Sequence, residues 1–299
     1  MEYYVGLYLS LRSCALCIVD GKGKVHLERE LPCEITDIAE CLVRFGCAIE
    51  RVGFEAGAMS QHLFFGLQDE GFDVICMEAR QVSAALSTMR NKTDRTDAKG
   101  IAQILRTGWF SPVHMKSREA HGVRALLSTR KALLKKTMDL ANEVRGLLKI
   151  FGVRLPRTVK HGSFDALVRP MIEMDEVLAH AIIPLLDARV VLFKHYLELD
   201  RRVKRASSQD DVCLRMMTVP GVAPIAALTF KAAVDEPTRF KKSRTVAAHF
   251  GLTPRRFQSG EYDNPGRISK AGDRDVRATL YAADNALLMR AMAGSQIIS

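Results

Sequence analysis

Two aspartates three residues apart, Asp94 and Asp97, stand beside the cations Lys92 and Arg95 in the stretch Asn91-Lys-Thr-Asp-Arg-Thr-Asp-Ala98. If a helix starts here, that spacing puts both carboxylates on one of its faces. Together with a third carboxylate, Glu55, they would offer hard oxygen ligands to a divalent metal ion. Such an ion stabilises the attacking and leaving oxygens of a phosphodiester displacement. The same spacing also suits a helix N-cap at Asp94 with Asp97 as its capping-box or helix-dipole partner. Spacing alone leaves both readings open. Glu55 follows the apolar run Val52-Gly-Phe54, so a partly buried carboxylate in need of a partner is expected there.

A second group of chemically capable residues lies far downstream. Ser259 precedes Gly260, with Arg255, Arg256, Arg267 and Lys270 nearby, and residues 239–277 hold 10 Lys/Arg against 4 Asp/Glu. A serine among cations can attack a phosphate that they hold in place. A Ser-Gly pair is also an ordinary turn. Cys14-Ala-Leu-Cys17 has the spacing of metal ligands, but on a strand its thiols would point to opposite faces. We therefore expect core residues there.

The elements that must carry these residues can be read in order. Residues 3–10, 13–20 and 25–31 are short β-prone runs forming a meander, and residues 34–45 have helical spacing. A strand then ends at Glu55, a helix covers 60–70, a further strand covers 72–77, and Asp94 and Asp97 open the next helix. The order βββαβαβα implies a mixed sheet flanked by helices, with its chemistry at the strands' carboxyl ends. Trp109 and Phe110 read as an apolar lid on this domain. From 117 to about 151 a long amphipathic stretch runs with a basic face, since 114–154 carries 10 Lys/Arg against 3 Asp/Glu. After a turn-rich break, a second helix spans about 173–206, interrupted or kinked at Pro184. The pair implies an antiparallel hairpin or a coiled coil that pairs chains, with a closed helical bundle as the alternative. Val219-Pro-Gly-Val222 is a turn before a helix that resembles a helix-hairpin-helix backbone binder. Residues 239–251 read as a basic helix ending at Gly251.

Composition narrows the function classes. The 299 residues are 47% hydrophobic and 26% charged, which suits a folded chain of more than one domain and excludes wholesale disorder. No apolar run reaches the ~18 residues of a membrane span and Met1-Glu-Tyr-Tyr4 is unlike a signal peptide, so a cytoplasmic location is expected. Seven scattered cysteines fit buried thiols better than a disulfide framework. The net charge of +10 is uneven: residues 1–113 hold 12 Lys/Arg against 15 Asp/Glu, and residues 114–299 hold 32 against 19. A part that basic suits a polyphosphate partner.

Taken jointly, Val52-Gly-Phe-Glu55-Ala-Gly, Lys92-Thr-Asp94-Arg-Thr-Asp97-Ala, Val219-Pro-Gly-Val, Gly251-Leu-Thr-Pro, Ser259-Gly and Gly266-Arg-Ile-Ser-Lys-Ala-Gly-Asp273 resemble the DEDD transposases of bacterial insertion sequences. That family includes the Piv DNA invertase. The resemblance, which spans nearly the whole chain, implies three parts. Residues 1–113 would form a RuvC-like (RNase H-fold) α/β domain, 114–210 a helical coiled-coil arm, and 211–299 a small, mostly α transposase domain. It implies Mg²⁺ held by Glu55, Asp94 and Asp97, a Ser259 nucleophile, and DNA contacts from Arg255, Arg256, Arg267 and Lys270. It further implies a structured guide RNA and a homo-oligomer joined through the arm. Two departures stand out. The family's first acid, in a Val-Gly-Leu-Asp type of motif, is replaced in Val5-Gly-Leu-Tyr8, and a neutral phenol is a poor ligand for Mg²⁺. The ending, Met289 to Ser299, lacks the family's basic tail, which leads us to expect a truncated copy. The rival expectation is a catalytically impaired nucleic-acid-binding relic or repressor. A Holliday-junction nuclease would share the first domain but leave Ser259 and the basic last part without a role.

Overall fold

The computed structural model describes residues 2–89, 92–260 and 262–295. It divides into two compact units, residues 1–116 and 117–299.

The first unit is a three-layer α/β sandwich. Strands β1 (Tyr3–Leu9), β2 (Ser13–Asp20), β3 (Val25–Pro32), β4 (Ile49–Glu55) and β5 (Val74–Met77) form one mixed sheet in the order β3-β2-β1-β4-β5. The first three strands pair antiparallel, while β1, β4 and β5 run parallel. This is the hairpins-then-crossovers sheet expected from the sequence. Side chains alternate as a pleated strand dictates. Val5, Leu7, Cys14, Leu16 and Ile18 pack on one face with Ile38 and Leu42 of α1 (Ile35–Arg44) and Leu63 and Leu67 of α2 (Ser60–Asp69). Ala15, Cys17 and Val19 pack on the other with Ala98 and Ala102 of α4 (Asp94–Thr107), beside Val82 of α3 (Ala79–Leu86). Each fully buried Leu or Ile here contributes about 1.5–3 kcal/mol of transfer free energy. Cys14 and Cys17 thus lie on opposite faces as core residues, and burial pushes their thiols up to about 12 and about 11. Trp109 is 66% exposed, whereas Phe110 packs on the core beside α3.

Glycine decides how closely α4 lies on the sheet. A methyl group at Gly6 would run into the backbone of Ala98 and Ala102, and one at Gly53 would meet Leu105 at 2.9 Å. The helix carrying Asp94 and Asp97 therefore rests on β1 and β4 with no side chain between the backbones at Gly6. It ends at Gly108, whose φ of 70° is the left-handed conformation of a helix C-terminus.

In the second unit α5 (Arg118–Ile150) and α7 (Glu176–Ser208) pack along one another. They are antiparallel. Val144 and Leu148 share a core with Leu178 and Ile182, while Arg130, nearer the start of α5, bonds Asp200, near the end of α7. The helix α7 runs continuously through Pro184, without the interruption the sequence suggested. The break between them holds a further helix, α6 (Phe164–Ile172). It seats Asp165 against Arg189, a fully buried guanidinium that also donates to the carbonyl of His161. Next come α8 (Asp211–Met217), α9 (Pro224–Val234) after the Pro-Gly turn, and α10 (Ser243–His249). The last is shorter than the basic helix expected over 239–251, because Phe240 is extended between a 3-10 turn at Pro237–Arg239 and α10. The hairpin of β6 (Pro254–Ser259) and β7 (Tyr262–Ile268) leads to α11 (Arg274–Ser295). Among the described residues no helix is long and apolar enough to cross a membrane.

Candidate active site

The carboxyl ends of the parallel strands gather the acidic groups of the first unit. Glu55 is the last residue of β4 and pairs in register with Met77 of β5, so Glu78 comes at the adjoining strand's end. Leu7 of β1 pairs with Phe54, which places Tyr8 alongside Glu55. Both line a cleft of about 230 Å³, with Ser10 and Gly57.

Thr93, and not Asp94, caps α4. Its hydroxyl accepts from the Thr96 amide at 3.1 Å, and the Thr96 hydroxyl accepts from the Thr93 amide at 2.9 Å. This reciprocal box satisfies the helix start and leaves both aspartates out of it. Asp94 occupies the first helical position and is exposed. Asp97, one turn in, is 2% exposed, and among the described residues its carboxylate has no hydrogen-bond or ion-pair partner. Arg95 turns instead to Glu28, at 2.8 Å.

Burial, followed by the negative charge of Asp97, pushes the Glu55 carboxyl above its ordinary value. Lys92 opposes this and Glu78 adds to it. The structure thus brings Glu55 within electrostatic reach of Asp97, and reveals Glu78, which the sequence reading missed. The signal was available, since Glu78 follows its strand as Glu55 follows β4. Its side chain also accepts from the Gln81 amide at 2.8 Å, capping α3. Asn91 lies outside the described residues. Among those described, no group of three or more His, Cys, Asp or Glu side chains is placed to hold a metal ion. The donor chemistry nonetheless fits a hard divalent cation. Burial and the charge of Asp97 both disfavour the charged form of Glu55, and a cation between the two carboxylates would offset that repulsion.

Asp20 lies away from this edge of the sheet. It pairs with Tyr3 at the opposite end of β1 from Tyr8 and closes a turn, accepting from the amides of Lys22 and Lys24 at 2.9 and 3.0 Å. The hydrogen bond with His26, and then these amides, hold its carboxyl down at about 2.

Ser259 ends β6 at the tip of the hairpin, opposite Tyr262, and is exposed, as are Arg255, Arg256, Arg267 and Lys270. Gly260 turns the chain with a φ of 56°. Arg256 is engaged by Asp263 through two hydrogen bonds of 2.9 and 2.7 Å, and Arg255 donates to the Ser269 carbonyl at 3.3 Å. Among the described residues no group is bonded to the Ser259 hydroxyl. Ser259 and the Glu55–Asp97 pair belong to separate units.

Residues 5–152 match the transposase family model of DEDD type from IS110 elements, and residues 213–296 match the model described as Transposase IS116/IS110/IS902 family. The chain belongs to the DEDD transposases of insertion sequences. It is 29% identical over 283 residues to the transposase for insertion sequence element IS1111A of Coxiella burnetii, covering 91% of this chain and 74% of that one. Similarity extends to the transposase for element IS1328 of Yersinia enterocolitica, at 25% over 67% of this chain and 60% of the relative. A probable family 20 transposase of Pseudomonas aeruginosa is 28% identical, over 66% of this chain and 60% of its own. Among solved structures, T. thermophilus RuvC in complex with a Holliday junction substrate aligns with 38% of this chain and 100% of its own, at 14% identity and a TM-score of 0.30. Glu55, Asp94 and Asp97, and Tyr8 on the first strand, all lie within the residues that match the DEDD model.

Proposed function

We propose that this DEDD transposase cuts and rejoins DNA strands at the ends of an insertion sequence. The observation that carries the reading is the buried, partner-free Asp97 beside Glu55 at the carboxyl edge of the sheet. Glu55, Asp94 and Asp97 would hold Mg²⁺, which when bound supplies positive charge to the phosphodiester oxygens. Ser259, exposed on its hairpin, attacks phosphorus. Its Oγ–P bond forms as one P–O ester bond breaks, and the departing deoxyribose oxygen takes up a proton. The phosphoserine link keeps the ester's energy for rejoining, when a new DNA hydroxyl displaces the serine. Arg255, Arg256, Arg267 and Lys270 grip phosphates around it. A structured guide RNA selects the DNA. Copies of the chain join through the arm at 114–210, where Ile150, Met174 and Val177 expose 77%, 97% and 72% of their surface.

The test is strand transfer with guide RNA, donor and target DNA and Mg²⁺. The Ser259→Ala variant is expected to lose activity by at least about 10³-fold, as for loss of a nucleophile, and to lose the covalent protein–DNA adduct. Activity equal to the parent refutes the serine mechanism.

A second reading is favoured by Tyr8, which fills the place of an acid. In it, the chain binds nucleic acid without cutting, as a relic or repressor. Metal-dependent cleavage by the parent refutes it, whereas cleavage by Tyr8→Asp alone supports it.

A further inference from the structure

Glu55 lines two clefts. One, beside Tyr8 and Ser10, has been described. The other is a broad groove of about 530 Å³ along α3, lined by Glu55, Ala79, Arg80, Ser83, Ala84 and Ser87. These α3 positions recur every three or four residues and so form one helical face. Val82, on the opposite side, is fully buried and holds the helix to the sheet layer. Arg80, Ser83, Ala84 and Ser87 are all exposed.

The α3 side of the groove carries donors, with Glu55 as the acid in its lining. Arg80 has no ion-pair partner among the described residues, and neither has the Ser83 hydroxyl a hydrogen-bond partner. Ser87 donates to the Ala84 carbonyl at 2.7 Å, so Arg80 and Ser83 are the donors available to a ligand. Ala79 and Ala84 keep the floor low. A guanidinium with a neighbouring hydroxyl, over small side chains, suits an oxygen-rich anion that arrives as an extended chain. Because both clefts meet at Glu55, one strand lying in the two would carry a phosphate past that carboxylate.

We infer that the groove along α3 is a track for the sugar-phosphate backbone of the DNA strand to be cut, gripped by Arg80 and Ser83 and leading over Glu55 into the cleft beside Tyr8. The inference rests on the DNA-cutting reading above and adds to it the path of the strand, on a face that none of the basic residues near Ser259 belongs to.

The test uses the full chain and a fluorescein-labelled mixed-sequence DNA duplex with a single-stranded end, titrated over a salt series. Arg80→Glu is expected to weaken binding about tenfold and to lower the slope of log affinity against log salt by about one contact. Ser83→Ala should weaken it less and leave the slope unchanged. Arg44→Glu, on α1 across the sheet, makes the same change in net charge and should bind as the parent does. A photo-crosslinking residue at Ala84 should attach to the single-stranded end. If Arg80→Glu binds as the parent does, or Arg44→Glu weakens binding equally, or the Ala84 position yields no adduct while the parent binds, the track is refuted and the cutting reading survives. If the parent binds no DNA, that reading fails first.

Discussion

Gly6 on β1 lies directly beneath Ala98 of α4, so close that no side chain fits between the strand and the helix that carries both aspartates. The Gly6→Ala substitution should therefore cost about 1–3 kcal/mol, the range for overpacking a close contact. It should also lift the start of α4 away from Glu55. Urea unfolding measures the first effect. A crystal structure of the variant checks the second, and an unmoved α4 with parental stability would contradict it.

The helix cap assigns stability to one residue and leaves chemistry to its neighbours. Thr93→Ala removes the hydroxyl that accepts from Thr96 and should destabilise the protein by about 1 kcal/mol. Asp94→Asn, with only a helix-dipole contribution at stake, should cost less than about 1 kcal/mol. Equal losses in thermal unfolding would mean that Asp94 shares the cap.

Tyr8→Asp exchanges a ring packed against the sheet-facing side of α4 for a carboxylate beside Glu55. Without metal the variant should lose about 2–4 kcal/mol, from lost packing and added repulsion. Mg²⁺ at about 100 times its dissociation constant would restore about 2.7 kcal/mol. A Mg²⁺ response no larger than the parent's would show that the first-strand position does not face the ion.

Asp20 gives the first unit an acid-sensitive point. Its folded carboxyl, held down at about 2, lies below the ordinary value of about 3.9 for an unfolded aspartate. Its contribution is therefore fully present above pH ~4 and is lost as pH falls through about 2. The gap in urea midpoint between the parent and Asp20→Asn should narrow across that window. A gap that stays constant would place the stabilisation elsewhere.

The sheet was legible because its strands are buried on both faces or alternate cleanly, and Gly21 and Gly23 mark a turn. The carboxyl-end rule likewise placed Glu55, and the two long helices followed from their apolar stripes. The cap was not legible. Aspartate and threonine both serve at helix starts, and the Thr93/Thr96 box lacks the usual Glu or Gln, so only geometry distinguishes the candidates. The β6–β7 hairpin escaped for another reason. Pro-Arg-Arg-Phe-Gln-Ser has a single large apolar residue and no alternation to read, and its strands show by pairing with each other. Helix α6 was hidden in a segment that Gly152, Pro156 and Gly162 mark as turns.

The glycine seat under α4 separates inheritance of shape from inheritance of activity. The acid-bearing helix rests on the backbone of β1 at Gly6, so a change of side chain at position 8 leaves that seat in place. Substitutions that alter the chemistry of the first strand and those that dislodge the helix are therefore separable, the former falling on Tyr8 and the latter on Gly6.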